Sequence, residues 1–178
     1  MPRRASLVTV LLAVPLLVAA TRVTGEPTAG FHGRGPGGFG LDGTTHQLRI
    51  EDDGTNLKIV VPLASLQTGI SLRDRHMREK YLHVEQYPDA VLELPWSAVK
   101  LPEDGQTSDG TAPGKMSLHG KIHDVQVKYR LVRTGNRYQV TGNVPLNITD
   151  YGIETPSYFG VTVQPDVEAS ASFTAERS

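Results

Sequence analysis

"VQVKYRLVRTGNRYQVTGNVPLNI", from Val125 to Ile148, decides how this chain folds. Val125, Val127, Tyr129 and Leu131 alternate with Gln126, Lys128 and Arg130. Beyond Gly135-Asn136 the same beat returns, with Tyr138, Val140, Val144, Leu146 and Ile148 set against Gln139, Thr141 and Asn147. Apolar side chains at period two put one face of a strand in a core and the other in water. A Gly-Asn pair between two such runs turns the chain. The reading is a long antiparallel hairpin.

The pattern spreads outward from there. Leu48 and Ile50 precede a turn at Asp53-Gly54, and Leu57, Ile59, Val61 and Leu63 follow it. Leu92, Leu94 and Trp96 form another inward row, then Met116 and Leu118, with a turn expected near Gly120 to Asp124. Val161, Val163, Val167, Ala169, Ala171 and Phe173 come last, spaced by residues such as Glu168 and Ser170. "LPEDGQTSDGTAPG", Leu101 to Gly114, reads as a mobile polar loop. Between Gly30 and Gly43 seven of fourteen residues are glycine. A phosphate cradle would be followed by Gly-Lys-Ser/Thr or by a helix start, and neither is present. The stretch reads instead as a strand "AGFHGR" and a turn "GPGGFG". About eight strands with hairpin connections predict an all-β, eight-stranded antiparallel barrel. Long strands, about 34 Å for ten residues, favour a tall barrel over a simple sandwich.

One segment breaks the pattern. "SLRDRHMREKYL", Ser71 to Leu82, carries formal charge on six of twelve residues. Its spacing predicts the one short helix. Ser71 would cap it with Asp74 completing a capping box, and Arg75–Glu79 and Asp74–Arg78 would pair along its wet side. Ile70, Met77 and Tyr81 share a stripe with Arg73 between them, and Leu72 and His76 share the next. The helix is expected as a lid over a barrel mouth, where Arg73, Asp74 and His76 could hold a polar head group.

The ends and composition bound the setting. Arg3 and Arg4 precede an uncharged run from Leu7 to Ala20, fourteen residues against the roughly 20 of a spanning helix. Val18-Ala19-Ala20 offers a signal-peptidase site, so residues 1–20 are read as a cleaved export signal, by the general or twin-arginine route. Residues 21–27 are read as a linker and 28–175 as one barrel domain. Removing Arg3 and Arg4 takes the basic count from 18 to 16 against 19 acidic residues, a net charge of −3. No long basic run remains for nucleic acid, and no membrane-spanning segment is expected after signal removal. Without any cysteine, disulfides and thiolate chemistry are excluded. An exported, disulfide-free domain points to a bacterial periplasm or secretion, and Asn147-Ile148-Thr149 is read as a coincidental sequon.

"SLQTGISLRDRHMREKYLHVEQYPDAVLEL" then resembles the YceI-like family, through Thr68-Gly69, Arg73-Asp74 with His76, and Tyr87-Pro88. "GKMSLHGKIHDVQVKY", with Leu118, Gly120 and Val125, is similar to a family hairpin, and "LNITDYGI" to the segment before its last strands. The resemblance runs roughly from Phe31 to Phe173. It departs at the start, where a glycine-rich stretch replaces the family's Tyr/Asp/His-Ser segment. It implies a lipocalin-like barrel holding a polyisoprenoid, an isoprenoid quinone or a polyprenyl phosphate, without a cofactor or catalysis.

Burial of a methylene contributes about 0.8 kcal/mol, so a long chain is needed to outweigh the several kcal/mol lost on immobilisation. The apolar wall is assigned to Met77, Tyr81, Leu92, Leu94, Trp96, Met116, Leu118, Val127, Tyr129, Tyr138, Val140 and Leu146. Periodicity leaves open whether these residues line a hollow or meet and fill it. A filled barrel would be a protein-interaction or stress-response module acting through its surface, with the loop Leu101 to Gly114 as the candidate contact; a homodimer is compatible with either. A third reading, a metal-dependent enzyme on His32, His46, His119 and His123, lacks helical ligand spacing. Asp124 beside His123 has no nucleophile in context. Tyr151, Tyr158 and Phe159 are read as loop packing, with quinone stacking as the alternative.

Overall fold

A computed structural model describes residues 21–158 and 161–177, with backbone alone for Tyr158 and Val161. The expected export signal lies outside the described residues. In chain order the strands are β1 (Thr21–Arg34), β2 (Gly40–Thr45), β3 (Arg49–Asp52), β4 (Asn56–Pro62), β5 (Asp89–Pro95), β6 (Thr107–Leu118), β7 (Lys121–Thr134), β8 (Arg137–Asn147), β9 (Ser157–Tyr158), β10 (Val161–Thr162) and β11 (Asp166–Arg177). Helix α1 (Ser71–His76) lies between β4 and β5 and continues as a π turn, Met77–Tyr81.

Nine strands form one antiparallel sheet in the order β2-β1-β11-β8-β7-β6-β5-β4-β3, and β9 and β10 pair separately. The two edges, β2 and β3, are neighbours in sequence, so the sheet must curl to bring them together. Where β1 passes β3, Thr21 donates its hydroxyl to Asp52 at 2.6 Å. Eight strands were expected and nine are found. The difference is the break between Thr45 and Arg49, which divides one circuit strand into β2 on β1 and β3 on β4. Gln67 covers the edge of β2 there, exchanging two backbone hydrogen bonds of 2.9 Å with Thr44.

Three boundaries differ from the sequence reading. Residues 21–27, read as linker, belong to β1, where three residues between Thr24 and Thr28 face one of β11 and Gly25 takes φ 75°. Of the loop expected at Leu101–Gly114, the part from Thr107 is strand, paired with β7 from Thr107↔Val132 to Leu118↔Lys121. Its β5 side is laddered only at Lys115–Ser117, so Pro113 stands on a locally free edge, where proline is tolerated. The β6–β7 turn is the tight pair His119-Gly120 rather than Gly120–Asp124, both residues having positive φ as a primed hairpin turn requires.

Inward residues of all the long strands join one apolar cluster, among them Leu57, Leu92, Met116, Val127, Leu146 and Phe173, with Leu63, Leu66 and Met77 from the α1 connection. The outer face carries cross-strand ion pairs such as Lys115–Asp124 and Arg137–Glu176, each worth little by itself. No helix among the described residues is long and apolar enough to cross a membrane. Glycine is required at Gly110, because a Cβ there would lie 2.6–3.0 Å from the Tyr129 ring, whose hydroxyl accepts the Lys100 N–H at 2.9 Å. Gly110→Val should therefore destabilise the fold by about 1–3 kcal/mol in urea unfolding; an unchanged midpoint would show that Tyr129 does not depend on that gap.

Candidate functional site

The inward faces do not meet. They enclose a cavity of about 760 Å³ that extends through the barrel, bordered by every long strand and by the α1 connection. Inward positions such as Tyr138 and Val140 stay only half-buried because they border this space. Apolar side chains dominate the lining. Most polar ones gather toward its ends, Thr68, Arg73, His76 and Ser157 near the α1 connection and Thr21 and Arg177 at the other, with Ser170 midway along β11.

All twelve apolar positions read from the sequence border the cavity: Met77, Tyr81, Leu92, Leu94, Trp96, Met116, Leu118, Val127, Tyr129, Tyr138, Val140 and Leu146. Arg73 and His76 border it too. Asp74 does not. Its carboxylate is buried at 9% exposure and accepts the backbone N–H of Thr68 at 2.7 Å and the Thr68 hydroxyl. Arg73 binds the same residue from the other side, Nε to Thr68 Oγ1 at 2.7 Å and Nη2 to Thr68 O at 2.6 Å. The pair thus fixes Thr68, which faces the cavity, instead of both reaching for a head group.

This rearranges the expected helix start. Ile70, not Ser71, precedes α1, and no side chain caps it. The capping box is lost because Asp74 satisfies Thr68, six residues back, in preference to the helix end. Neither Arg75–Glu79 nor Asp74–Arg78 comes within ion-pair distance; Arg78 Nη2 instead donates to Leu66 O at 2.8 Å. Ile70 and Leu72 border the cavity while 53% and 44% exposed, so they rim the opening rather than seal against a core. The π turn after His76 then swings Met77 and Tyr81 into the wall.

Several lining residues escaped the sequence reading. Phe31, Phe39 and Leu41 come from the glycine-rich stretch, where Phe31 lies against the bare backbone of Gly43. Val167, Ala169, Ala171 and Phe173 line it from β11, whose alternation was visible but not assigned to the wall. At the far end Arg177 lies over Trp96, 4.7 Å from the ring centroid, and Trp96 Nε1 donates to Asp52 at 2.8 Å. Burial pushes the Asp52 carboxyl upward, but hydrogen bonds from Thr21, Trp96 and Gly54 with the charge of Arg177 prevail and hold it below its usual value.

The four histidines considered for a metal do not converge. His32 binds Asp42 at 2.7 Å, His46 lies 3.1 Å from Pro27 O, and His119 and His123 lie 3.1 Å from Tyr151 O and Asp150 O. Among the described residues no group of three or more His, Asp or Glu side chains has metal-binding geometry. Asp124 pairs with Lys115 at 2.9 Å and leaves His123 alone. Tyr151 is a buried core residue at 2% exposure, stacked edge-on with His123. The side chain of Tyr158 and all of Phe159 lie outside the described residues.

The YceI-like domain matches residues 21–175. The chain belongs to the YceI-like family. Among solved structures of similar fold, a polyisoprenoid-binding domain from Saccharophagus degradans, implicated in plant cell wall breakdown, aligns at TM-score 0.74 and 16% identity, over 91% of this chain and 99% of that one. BcnA of Burkholderia cenocepacia aligns at TM-score 0.63 and 14% identity, over 82% and 95%. No curated protein matches in sequence. At such identities the likeness is one of fold, and this YceI-like barrel's residues must speak for its ligand.

The Asp74 network makes a signed prediction. Burial pushes its carboxyl up, but the hydroxyl and backbone N–H of Thr68, with Arg78 and Arg73, hold it below its usual 3.8. A lowered folded pKa contributes stability above the unfolded value and loses it as pH falls through the folded one. Asp74→Asn should therefore cost about 1–3 kcal/mol at neutral pH, with the gap to the parent closing only as pH falls from 3.8 through the lower folded value. A gap independent of pH would remove the charge from the account.

Proposed function

We propose that this protein is an exported binding protein that carries or sequesters a polyisoprenoid in the hollow of its barrel, without catalysis. The observation that carries the reading is the cavity of about 760 Å³ with an almost wholly apolar wall. Volumes of roughly 300–1,000 Å³ are those of specific ligand pockets. An unfilled void of this size would weaken the fold, whereas a hydrocarbon chain restores the missing contacts. Ten buried methylene equivalents contribute about 8 kcal/mol, and a chain of several isoprene units exceeds that. A short acyl chain would barely outweigh its immobilisation.

Polar groups at both ends of an apolar bore suit a molecule with one polar head, an isoprenoid quinone or a polyprenyl phosphate. A related fold is named for polyisoprenoid binding, which supports the same class here. The arginine-led apolar N-terminus supports export to the periplasm. Intact mass of the chain from its native host should show residues 1–20 removed; a full-length species alone would contradict export.

Organic-solvent extraction of protein purified from that host, read by mass spectrometry, should yield an isoprenoid in near-stoichiometric amount. Repeated absence of lipid, with no uptake of added quinones, would overturn the reading. Gly142 borders the cavity on β8, and a Cβ there would have no neighbour nearer than 3.8 Å. Gly142→Leu should keep the fold and weaken quinone binding at least tenfold, about 1.4 kcal/mol, by filling the bore.

A further inference from the structure

His83 and His119 are the two non-glycine residues with left-handed backbone among the described residues, at φ 44° and 51°. Such a conformation costs of order 1–3 kcal/mol and persists where the surroundings impose it. The two lie 36 residues apart and meet: His83 Nδ1 stands 3.0 Å from His119 Nε2. Their ring centroids are 5.1 Å apart.

A third group fixes the tautomer. His119 Nδ1 is 3.1 Å from the Tyr151 carbonyl, which can only accept. Neutral His119 therefore carries its proton on Nδ1 and turns the Nε2 lone pair toward His83. The Tyr87 ring packs edge-on at 4.6 Å and holds the imidazole in place. An imidazole whose N–H is held by a carbonyl is the arrangement by which proteins orient metal ligands; here the rings meet nearly head-on in a hydrogen bond, and a rotation of each turns both nitrogens onto one ion. Two nitrogens each ~2.0–2.1 Å from one ion stand roughly 2.9–3.4 Å apart for angles of 90–110°. The observed separation falls at the right-angle end.

We propose that His83 and His119 form a two-histidine site for a late divalent transition metal, with Cu(II) the preferred ion. Imidazole donors and a right-angled pair suit tetragonal Cu(II) or Ni(II), and Cu(II) heads the affinity order. In the metal-free protein a proton on His83 Nδ1 bridges the two rings. The ion displaces that proton from Nδ1 and His83 takes one up from solvent on Nε2, so both imidazoles stay neutral; each donates one lone pair, and water fills the remaining positions with no change of oxidation state. The site ties the end of the α1 segment to the β6–β7 hairpin, so a bound ion pins the segment beside the cavity. It does not depend on the lipid reading.

The test is a titration of tag-free, metal-stripped protein with copper sulfate, followed by calorimetry and electron paramagnetic resonance. One ion per chain at micromolar protein, with hyperfine coupling to two imidazole nitrogens, is expected. His83→Asn and His119→Asn each should weaken binding at least tenfold; asparagine tolerates left-handed backbone, so the fold survives. His32→Asn should bind as the parent does. Absence of stoichiometric binding, or parent-like binding by either Asn variant, would overturn the proposal and leave a hydrogen-bonded pair only.

Discussion

The structure depends on a mismatch between a continuous oily face and the width of the circle it is wound into. Period-two alternation gives each long strand one apolar side, and hairpin connections force those sides to the same face of the sheet. Curling that sheet turns the face inward, but strand number and tilt set the diameter, not the side chains. Leu92, Met116, Val127 and Leu146 reach inward from four adjacent strands and all border the hollow. The cavity of about 760 Å³ is what remains.

Its two ends show how the fold tolerates this. At one, Arg73 and Asp74 are spent on Thr68, and the exposed Ile70 and Leu72 leave an apolar rim. At the other, Asp52 gathers Thr21 and Trp96 while Arg177 covers the indole, a polar closure joining β1, β3 and β11 where the hydrogen-bonded ladder stops. Charge therefore holds the ends in shape, and the bore between them is left to hydrocarbon. Without cysteine, these contacts and the packed strands must supply the rigidity.

Much of this was legible in the residues. The hairpin Val125–Ile148 needed only its alternation and one turn; ten of the twelve wall positions follow from the same parity, and Met77 and Tyr81 from the helical stripe. What stayed hidden depended on partners distant in the chain. Thr107–Gly114 looks like a loop, yet β7 pairs its backbone and Tyr129 covers Gly110. Thr21–Pro27 looks like a linker because the bulge at Gly25 destroys its periodicity. Asp74 has the spacing of a capping residue, but Thr68 offers it two donors in a buried position, and two hydrogen bonds there outweigh one at an exposed helix end. The meeting of His83 with His119 has no signature in sequence at all.

If the hollow works by enclosing hydrocarbon, affinity must follow the length of the chain. Trp96, the sole tryptophan, borders the bore and reports on its contents through fluorescence. The decisive measurement is a titration with isoprenoid quinones that share one head group and differ in the number of isoprene units. The account predicts affinity that climbs with each unit until the bore is full and then levels off. Equal affinity for the bare head group and for the longest chain would contradict it.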